Sequence, residues 1–432
     1  MAMESGTITN GGSHPLGGLR AWLIMFVGAN CFFFAFFQRA SPSVMVEPIM
    51  ESFNVGGALL GNLSAFYFYA YAALQIPVGL MLDRWGPRWL LTGGMLLVGA
   101  GAGLLGSATV IEMAYLGRLL VGAGSAVAFI STLTLCAQWF VPGRFGMLSG
   151  MTMGYAMFGG FLGQGPLGGV VEQVGWRSPM IGSAVWGLAL AVIIWLVVRD
   201  RPDGQPIRPE QGINISQSLK LALKQRQNWI LGCYGFAISA PFLAYGVLWA
   251  VPHLMAQYGI DRQLAGFSAS LMMIGFAFGG PLGGLVSDVM GSRKKPLMFS
   301  SAISLCLWLT MLYGLEPSLL MQQVMIFLIG LAGGASIVTL AAARENSPSH
   351  VSGAVTGFVN GAFVAGGAVL QPLVGYLLDL NWQGGTVAGG TARVYSLDTY
   401  DLAFLTFPAA AALSMLFSFF VRETGCKPYE QQ

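Results

Sequence analysis

Long apolar stretches, separated by short polar segments, run along the whole of this chain. A run of about 20 apolar residues crosses the hydrocarbon core of a bilayer as a helix. Backbone groups in hydrocarbon have no water to bond, and the alternating pattern of a membrane barrel is absent from the sequence, so each run is predicted to be helical. The predicted spans are twelve: 20–46, 57–82, 89–108, 112–140, 145–170, 179–198, 228–256, 264–288, 295–314, 318–343, 351–378 and 400–422.

One long polar stretch, 199–227, divides these spans into six and six. The predicted organisation is therefore an N-terminal tail, a first six-helix bundle, a linker, a second six-helix bundle and a C-terminal tail. Their ranges are 1–19, 20–198, 199–227, 228–422 and 423–432. The linker ends in the amphipathic stretch "SLKLALKQ", which we expect to lie on the membrane surface.

Basic residues give the orientation. Most of the 21 Lys and Arg residues fall in segments on the side of the N-terminus, whereas Arg177, Arg262 and Arg393 fall on the other side. Basic loops stay in the cytoplasm, so both termini are predicted to be cytoplasmic. The formal net charge of +3 reflects this topology and gives no reason to expect a nucleic-acid partner.

The two halves repeat each other. "GLMLDRWGPR" (79–88) aligns with "GLVSDVMGSR" (284–293), and "GGFLGQ" (159–164) aligns with "GGAVLQ" (366–371), in the same order and at nearly the same separation. Matching segments of this kind indicate an internal duplication, which is typical of transporters built from structural repeats.

The first of these loops resembles the signature of the major facilitator superfamily between its second and third helices, with Pro87 as the one departure. "RLLVGAGSA" (118–126) also resembles the Arg-containing fourth-helix motif of that family. The resemblance implies an all-α membrane protein with twelve transmembrane helices in two pseudo-symmetric bundles. It also implies a secondary transporter that works by alternating access. We expect a monomer in the lipid bilayer with a small-molecule substrate, no cofactor and no enzymatic activity.

Conformational roles are predicted for the repeated loops and for the fourth-helix arginine. Asp83 lies at a helix end, where a carboxylate accepts hydrogen bonds from a neighbouring helix N-terminus or an arginine, and such a latch breaks when the halves rock. Gly79 is expected to allow close helix approach and Gly86 a tight turn. The alternative is that the loop arginines only enforce topology. The predicted gating residues are Gly79, Asp83, Arg84, Gly86, Arg88, Arg118, Asp288, Gly291 and Arg293.

Arg39 lies inside the first span, where an ionisable residue requires an explanation. Its long side chain can reach headgroups by snorkelling, but the polar run "QRASPSV" favours a position facing a cavity. Ser64, Tyr67, Tyr71 and Gln75 recur at helical spacing and form one stripe, whose tyrosines either face the cavity or pack in a core or an interfacial belt. Gln164 and Gln371 are a pseudo-symmetric pair that either bridges helices or faces the substrate. The predicted substrate-binding residues are Arg39, Gln38, Tyr67, Tyr71, Gln75, Gln164, Gln371, Asn360 and Tyr245.

Within the family, the N-terminal half most resembles the anion:cation symporter branch of organic-anion transporters. The resemblance rests on Arg39 with its following serines and on "FYFYAYAALQIPVGLMLDRWG". In that branch an acid precedes the first-helix arginine and another follows the fourth-helix motif, whereas this chain has Gln38 and Ser125. The expected function is transport of a small organic anion or zwitterion, such as a carboxylate, sugar acid, amino acid or short peptide, without those proton-coupling acids.

Other functions remain open at this stage. A proton-driven efflux pump for drugs or amphiphiles is supported by 28 Phe, 22 Met and the stretch "GQGPLGG", but it needs an acid deep in the membrane, and none is found. A transporter-like receptor is a third class. The scattered Cys and His residues predict no metal site, and the expected location is a bacterial inner membrane.

Overall fold

The computed structural model describes residues 16–202, 215–314, 317–348, 351–387 and 390–427. Within these residues the regular secondary structure is helical, apart from one isolated antiparallel bridge between Thr386 and Arg393. The helices of the first half are α1 (Leu19–Ala40), α2 (Val46–Phe53), α3 (Gly57–Gly106), α4 (Ile111–Ala126), α5 (Ala128–Trp139), α6 (Phe145–Leu162), α7 (Gly165–Val174) and α8 (Arg177–Val197). A 3₁₀ turn, Ser41–Met45, joins α1 to α2.

The second half begins with the linker helix α9 (Ile215–Lys224), in the stretch predicted to be amphipathic. The helices that follow are α10 (Arg226–Pro241), α11 (Ala250–Tyr258), α12 (Arg262–Met290), α13 (Lys294–Tyr313), α14 (Leu319–Gly334), α15 (Val338–Glu345), α16 (Ser352–Leu380), α17 (Leu397–Phe404) and α18 (Thr406–Phe420). A π-helical segment, Phe242–Trp249, connects α10 to α11.

Ten segments of the described chain are long and apolar enough to cross a membrane. They are Leu19–Phe53, Arg84–Gly106, Ile111–Trp139, Arg177–Val197, Arg226–Tyr258, Arg262–Met290, Lys294–Tyr313, Leu319–Glu345, Gly353–Leu380 and Leu397–Phe420. The two other predicted spans, 57–82 and 145–170, correspond to the first arm of α3 and to α6 with α7. Twelve spans with cytoplasmic termini stay a prediction.

The chain reverses direction inside α3 at Gly86, which has φ 75° and ψ 163°. This backbone conformation is open to glycine and disfavoured for residues with a Cβ. Pro87 follows at the start of the second arm, where its missing N–H costs no helical hydrogen bond. The tight turn expected at Gly86 is therefore present.

Glycines bring neighbouring helices into close contact within each half. A Cβ at Gly122 of α4 would lie 2.1 Å from the carbonyl oxygen of Tyr67 in α3. The same relation recurs in the second half, where a Cβ at Gly279 of α12 would lie 2.0 Å from the carbonyl oxygen of Leu331 in α14. Membrane helices associate through such contacts because lipid provides no hydrophobic drive between them.

The halves meet along two antiparallel helix pairs. In the first pair, α3 packs on α16, with Gly57 against Gly375 and Gly61 against Gln371. In the second, α7 packs on α12, with the Phe267 ring against Gly165. The buried core extends through both halves. The π-helical segment packs against both α16 and α12.

Candidate substrate site and gates

Arg39 lies in the last turn of α1, directly before a stretch of irregular backbone. Pro42 has no N–H, so α1 gives way to the 3₁₀ turn Ser41–Met45. The hydroxyl groups satisfy carbonyls that this change exposes: Ser41 Oγ donates to Gln38 O at 3.2 Å and Ser43 Oγ donates to Ala40 O at 2.8 Å. Arg39 is 6% exposed, so its guanidinium lies inside the protein and does not snorkel to headgroups.

Aromatic rings surround the Arg39 guanidinium. Its Cζ lies 4.3 Å from the ring centre of Phe36, 5.0 Å from Tyr71, 5.3 Å from Tyr67 and 5.8 Å from Phe68. Nε donates to the Tyr67 hydroxyl at 3.4 Å. Tyr71 also hydrogen-bonds the Arg39 side chain, and within the described chain no carboxylate pairs with the guanidinium. The guanidinium is thus a buried cation held by ring faces and tyrosine hydroxyls, without an anionic partner among the described residues.

Arg118 approaches the same tyrosine from α4. Its Cζ lies 5.2 Å from the Tyr67 ring centre, and Nη1 donates to the carbonyl oxygen of Gln38 at 2.7 Å. Bonding of this arginine to a backbone carbonyl is what the family resemblance implies. Nε and Nη2 of Arg118 and both polar side-chain atoms of Gln38 are buried without a partner among the described residues. Gln38, which stands where the branch carries an acid, therefore lies beside a buried arginine.

The stripe on α3 connects Arg39 to the other half. The rings of Tyr67 and Tyr71 are 5.9 Å apart and nearly parallel. One turn beyond Tyr71, the Oε1 of Gln75 accepts a hydrogen bond from Nδ2 of Asn360 in α16 at 2.9 Å. Gln75 is buried and Asn360 is half-buried. The predicted candidates on α3 and α16 therefore meet at the boundary between the halves.

The two repeated glutamines converge on the π-helical segment. Gln164 Nε2 donates to Gly246 O at 2.7 Å and to Ser43 Oγ at 3.1 Å, and Gln371 Nε2 donates to Leu243 O at 2.7 Å. A π-helix shifts the backbone hydrogen-bond register, so side-chain amides help to satisfy its carbonyls. One glutamine from each half thus binds the backbone of this segment. Of the two roles predicted for the pair, this contact corresponds to bridging helices and not to facing the substrate. The Oε1 atoms of both amides have no partner in the described chain.

Tyr245 lies within the π-helical segment and has no exposed surface. Its hydroxyl is 3.2 Å from Nδ1 of His253 and accepts from Nε2 of Gln322 at 3.5 Å. Phe404 and Trp308 pack edge-on against its ring. In this conformation Tyr245 is engaged within its own half and is not open to a ligand.

Arg262, the first residue of α12, bonds to three elements of the first half and so closes one end of the molecule. Nη2 pairs with Glu47 at 2.9 Å, Nη1 donates to Val44 O at 3.0 Å, and the backbone N–H donates to Glu172 at 2.8 Å. We call this end the sealed end. It carries the loops that the sequence predicts to be extracytoplasmic.

Asp379, at the end of α16, is the second closure of the sealed end. Its oxygens accept from the backbone N–H groups of Gly57 at 2.9 Å and Ala58 at 2.8 Å, so an acid of one half caps helix α3 of the other. Arg393 pairs with the same carboxylate at 2.9 Å, and the Tyr395 hydroxyl donates to it at 2.6 Å. Burial and the Asp379 carboxylate together raise the pKa of Tyr395, which keeps this donor protonated.

The repeated loops at the opposite end are held by acids that the sequence analysis missed. The backbone N–H of Arg88 donates to Asp200 at 2.8 Å, and that of Arg293 donates to Glu423 at 2.9 Å. These acids close the matching tripeptides 198–200 (VRD) and 421–423 (VRE). That repeat is the signal from which they were predictable.

Arg293 also pairs with Glu345 at 2.7 Å and with Asp288 at 2.8 Å. Partial burial acts to raise the pKa of Glu423, but bonds from Ser292 and from the backbone N–H groups of Arg293, Gly425 and Lys294 outweigh it and lower the pKa to about 2. Gly291 has φ 57° and ends α12 in a left-handed cap. The Glu423 carboxylate thus stays ionised next to Arg293.

The described contacts do not support a gating role for three other predicted residues. A Cβ at Gly79 would meet no described atom within 4 Å, so the close helix approach expected there is wrong for this conformation. Arg84 is exposed. The side chain of Asp83 lies outside the described residues, and its latch role stays a prediction.

Two segments of the chain, residues 28–250 and 236–429, match the family model of the Major Facilitator Superfamily. The chain is 25% identical to a probable sulfoacetate transporter of Cupriavidus necator, over 92% of this chain and 93% of that protein. It is also 25% identical to a probable galactarate/D-glucarate transporter of Bacillus subtilis, over 65% and 68% of the two chains. A probable L-galactonate transporter of Escherichia coli is again 25% identical, over 59% of this chain and 58% of that protein.

Solved structures show the same fold. A bacterial homologue of the human lysosomal transporter Spinster superposes with a TM-score of 0.76 at 16% identity, covering 93% of this chain and 97% of that one. A nucleoside transporter superposes with a TM-score of 0.73 at 11% identity, covering 92% and 100%.

Proposed function

The chain belongs to the major facilitator superfamily, and from this premise we propose that it transports a small organic anion or zwitterion across the membrane by alternating access. The family consists of multi-pass membrane transport proteins, so the expectation that the chain is not an enzyme is confirmed. Relatives named for sulfoacetate, galactarate, glucarate and galactonate transport support an organic anion as the substrate class.

The buried guanidinium of Arg39 is the observation that carries the proposal. Its hydrogen-bond partners within the described residues are Tyr67 and Tyr71, and no carboxylate there neutralises it. A buried charge without a partner is costly, and a planar guanidinium edge fits a carboxylate with two parallel hydrogen bonds. In our proposal the substrate carboxylate takes this place, with Tyr67 and Tyr71 around it and Gln75 and Asn360 beside it.

The topology and coupling belong to the same proposal. The chain has twelve spans in two bundles with the predicted boundaries, acts as a monomer in a bacterial inner membrane and keeps both termini in the cytoplasm. The sealed end then faces away from the cytoplasm. Gln38 and Ser125 do not titrate, so transport proceeds without the acids that serve proton coupling in the branch.

Arg39 provides the test. We expect Arg39→Ala and Arg39→Lys to lower uptake of the transported carboxylate into proteoliposomes by about 100-fold, because lysine keeps the charge but loses the planar pair of donors. Arg177→Lys, at the surface of the sealed end, is the matched control and should transport normally. Unfolding temperature and gel filtration of each variant verify folding. Normal uptake by a folded Arg39→Ala protein would contradict the proposal, and substrate-evoked proton movement would favour the proton-driven pump instead.

A further inference from the structure

The two halves offer different chemistry to a substrate. The first half contributes the Arg39 guanidinium and the tyrosine stripe of α3. In the second half, the stretches 227–260, 263–287, 317–343, 351–378 and 402–421 contain no Lys, Arg, Asp or Glu. Three phenylalanine rings meet there instead: Phe242 of the π-helical segment lies 4.8 Å from Phe276 of α12, and Phe276 lies 6.3 Å from Phe363 of α16.

A path of contacts joins Arg39 to these rings. The guanidinium lies 5.0 Å from the Tyr71 ring, and Gln75 follows Tyr71 by one helical turn. Gln75 accepts the hydrogen bond from Asn360, and Phe363 follows Asn360 by three residues on α16. The three rings therefore lie on the second-half side of the boundary at which Asn360 meets the Arg39 stripe.

The position of the rings within the second half supports the same arrangement. Phe276 and Phe363 come from α12 and α16, the two helices through which this half packs on the first half. Together with Phe242, these two rings form one apolar surface on the side of the second half that carries those helices. Phe363 is half-buried, and Phe276 and Phe242 keep 9% and 6% of their surface exposed.

We propose that the substrate is a monocarboxylate with an apolar body: the carboxylate binds Arg39, and the body lies against Phe242, Phe276 and Phe363. This inference rests on the proposed function and narrows it. Arg118, the other buried guanidinium, is anchored to the Gln38 carbonyl oxygen, so in this proposal Arg39 alone presents its planar edge and pairs with one carboxylate. A second carboxylate, or a row of hydroxyls, would lose its water against phenyl rings, and Asn360, the polar side chain next to Phe363 on the path, already donates to Gln75. The relatives named for galactarate and glucarate transport take hydroxylated dicarboxylates, so this chain differs from them in substrate class.

A ligand series on the purified full-length protein tests this class. The probes are propionate, butyrate, valerate, phenylacetate and leucine on one side, and galactonate and tartrate on the other, each measured by shift in unfolding temperature and by competition for uptake. We expect binding to tighten about fourfold for each methylene from propionate to valerate, and both hydroxylated acids to bind more weakly than valerate. Tighter binding of galactonate or tartrate than of valerate, if it depends on Arg39, overturns this inference and leaves the proposed function standing. Binding that is the same in wild type and Arg39→Ala counts against the proposed function itself.

Variants of the phenylalanine cluster test whether it contacts the apolar body of the substrate. Phe276→Ala should weaken phenylacetate binding about tenfold and leave propionate binding unchanged, because only the longer body reaches the ring. Phe278→Ala, on the same helix with a ring that is 63% exposed, is the matched control. If the alanine variant unfolds, Phe276→Leu replaces it, because leucine keeps most of the packing volume and with it the fold. Equal loss of propionate and phenylacetate binding in a folded Phe276 variant, or equal effects of the Phe276 and Phe278 changes, overturns the inference.

Discussion

Two arginines share one tyrosine at the centre of the first half. The Tyr67 ring lies 5.3 Å from the Cζ of Arg39 and 5.2 Å from that of Arg118. The two side chains differ in how they are held, since Arg118 is anchored to the backbone of α1 through Gln38 O, whereas Arg39 is held mainly by ring faces. Arg118 is therefore tied to the end of α1, and Arg39 has no carboxylate partner within the described residues, which is the arrangement on which its proposed role depends.

Gln38 gives a prediction at the level of a single residue. Gln38→Glu places a titratable group beside Arg118, whose Nε and Nη2 have no partner in the described chain. Gln38 has no exposed surface, and burial disfavours the charged form of a carboxylate, so we expect the glutamate to gain its proton between pH 8 and pH 6. The ionised glutamate will draw positive charge away from the substrate and the protonated one will not, so uptake by the variant is expected to be about tenfold higher at pH 6 than at pH 8. Uptake into proteoliposomes across this pH range, without a proton gradient, is the measurement.

Gln38→Met is the control for this experiment, since it keeps the length of the side chain and does not titrate. Its pH profile and that of the wild type should stay nearly flat. A flat profile for a folded Gln38→Glu protein would show that this position does not communicate with the substrate.

Among the elements, two backbone irregularities lie beside the candidate site. The 3₁₀ turn Ser41–Met45 follows Arg39, and the π-helical segment Phe242–Trp249 faces it from the second half. Ser43 and Gln164 tie the two together, since Gln164 Nε2 donates to Ser43 Oγ and to Gly246 O. Regular helices pack by glycine contacts around this pair, so the irregular backbone lies where protein groups satisfy it.

The glycine contact between α3 and α4 yields a prediction for element packing. Gly122→Ala places a Cβ 2.1 Å from Tyr67 O and must push the two helices apart. We expect a loss of about 1–3 kcal/mol of stability, seen as a lower unfolding temperature, together with weaker substrate binding because Tyr67 moves. Gly154→Ala in α6, where a Cβ meets no described atom within 4 Å, should leave both quantities unchanged. Equal stability of the two variants would contradict the packing argument.

The whole molecule is closed at one end by contacts between its halves. Arg262 binds Glu47, Val44 and Glu172 across the boundary, and Asp379 caps α3 from the other half. In alternating access these bonds have to break for the sealed end to open. The sealed end thus depends on a few charged groups at two points.

Arg262→Ala removes the first of these points. We expect it to shift the population toward the state open at the sealed end, by about 10-fold or more for the loss of a partly buried ion pair and one hydrogen bond. The measurement uses Ser43→Cys, a residue with 1% exposure behind the seal, in a background whose five native cysteines are replaced. A membrane-impermeant maleimide should label this cysteine faster when Arg262 is absent.

Arg177→Ala is the control for the seal, because Arg177 lies at the same end but binds Ser52 and Ala108 of its own half. Its labelling rate should equal that of the unaltered background. An Arg262→Ala protein that labels no faster would show that this ion pair does not hold the seal.

The sequence by itself determined the helical membrane fold, the repeat and the main site candidates, because each of these follows from a local pattern. Apolar runs specify spans, and a spacing of three or four residues places Ser64, Tyr67, Tyr71 and Gln75 on one face. The family was recognised from the loop at 79–88 and is confirmed. Local patterns were misleading at Gly79, where a glycine expected to permit close approach meets no described neighbour.

Only the tertiary structure decided which side chains meet across the halves. Asp379 caps Gly57 over a separation of 322 residues, and Gln75 meets Asn360 over 285. No periodicity links such positions, since their approach depends on how two bundles pack and on the turn at Gly86 within α3. The lack of a carboxylate partner for Arg39 in the described chain is likewise a tertiary property, because a sequence shows that an arginine is present but not which neighbours satisfy it.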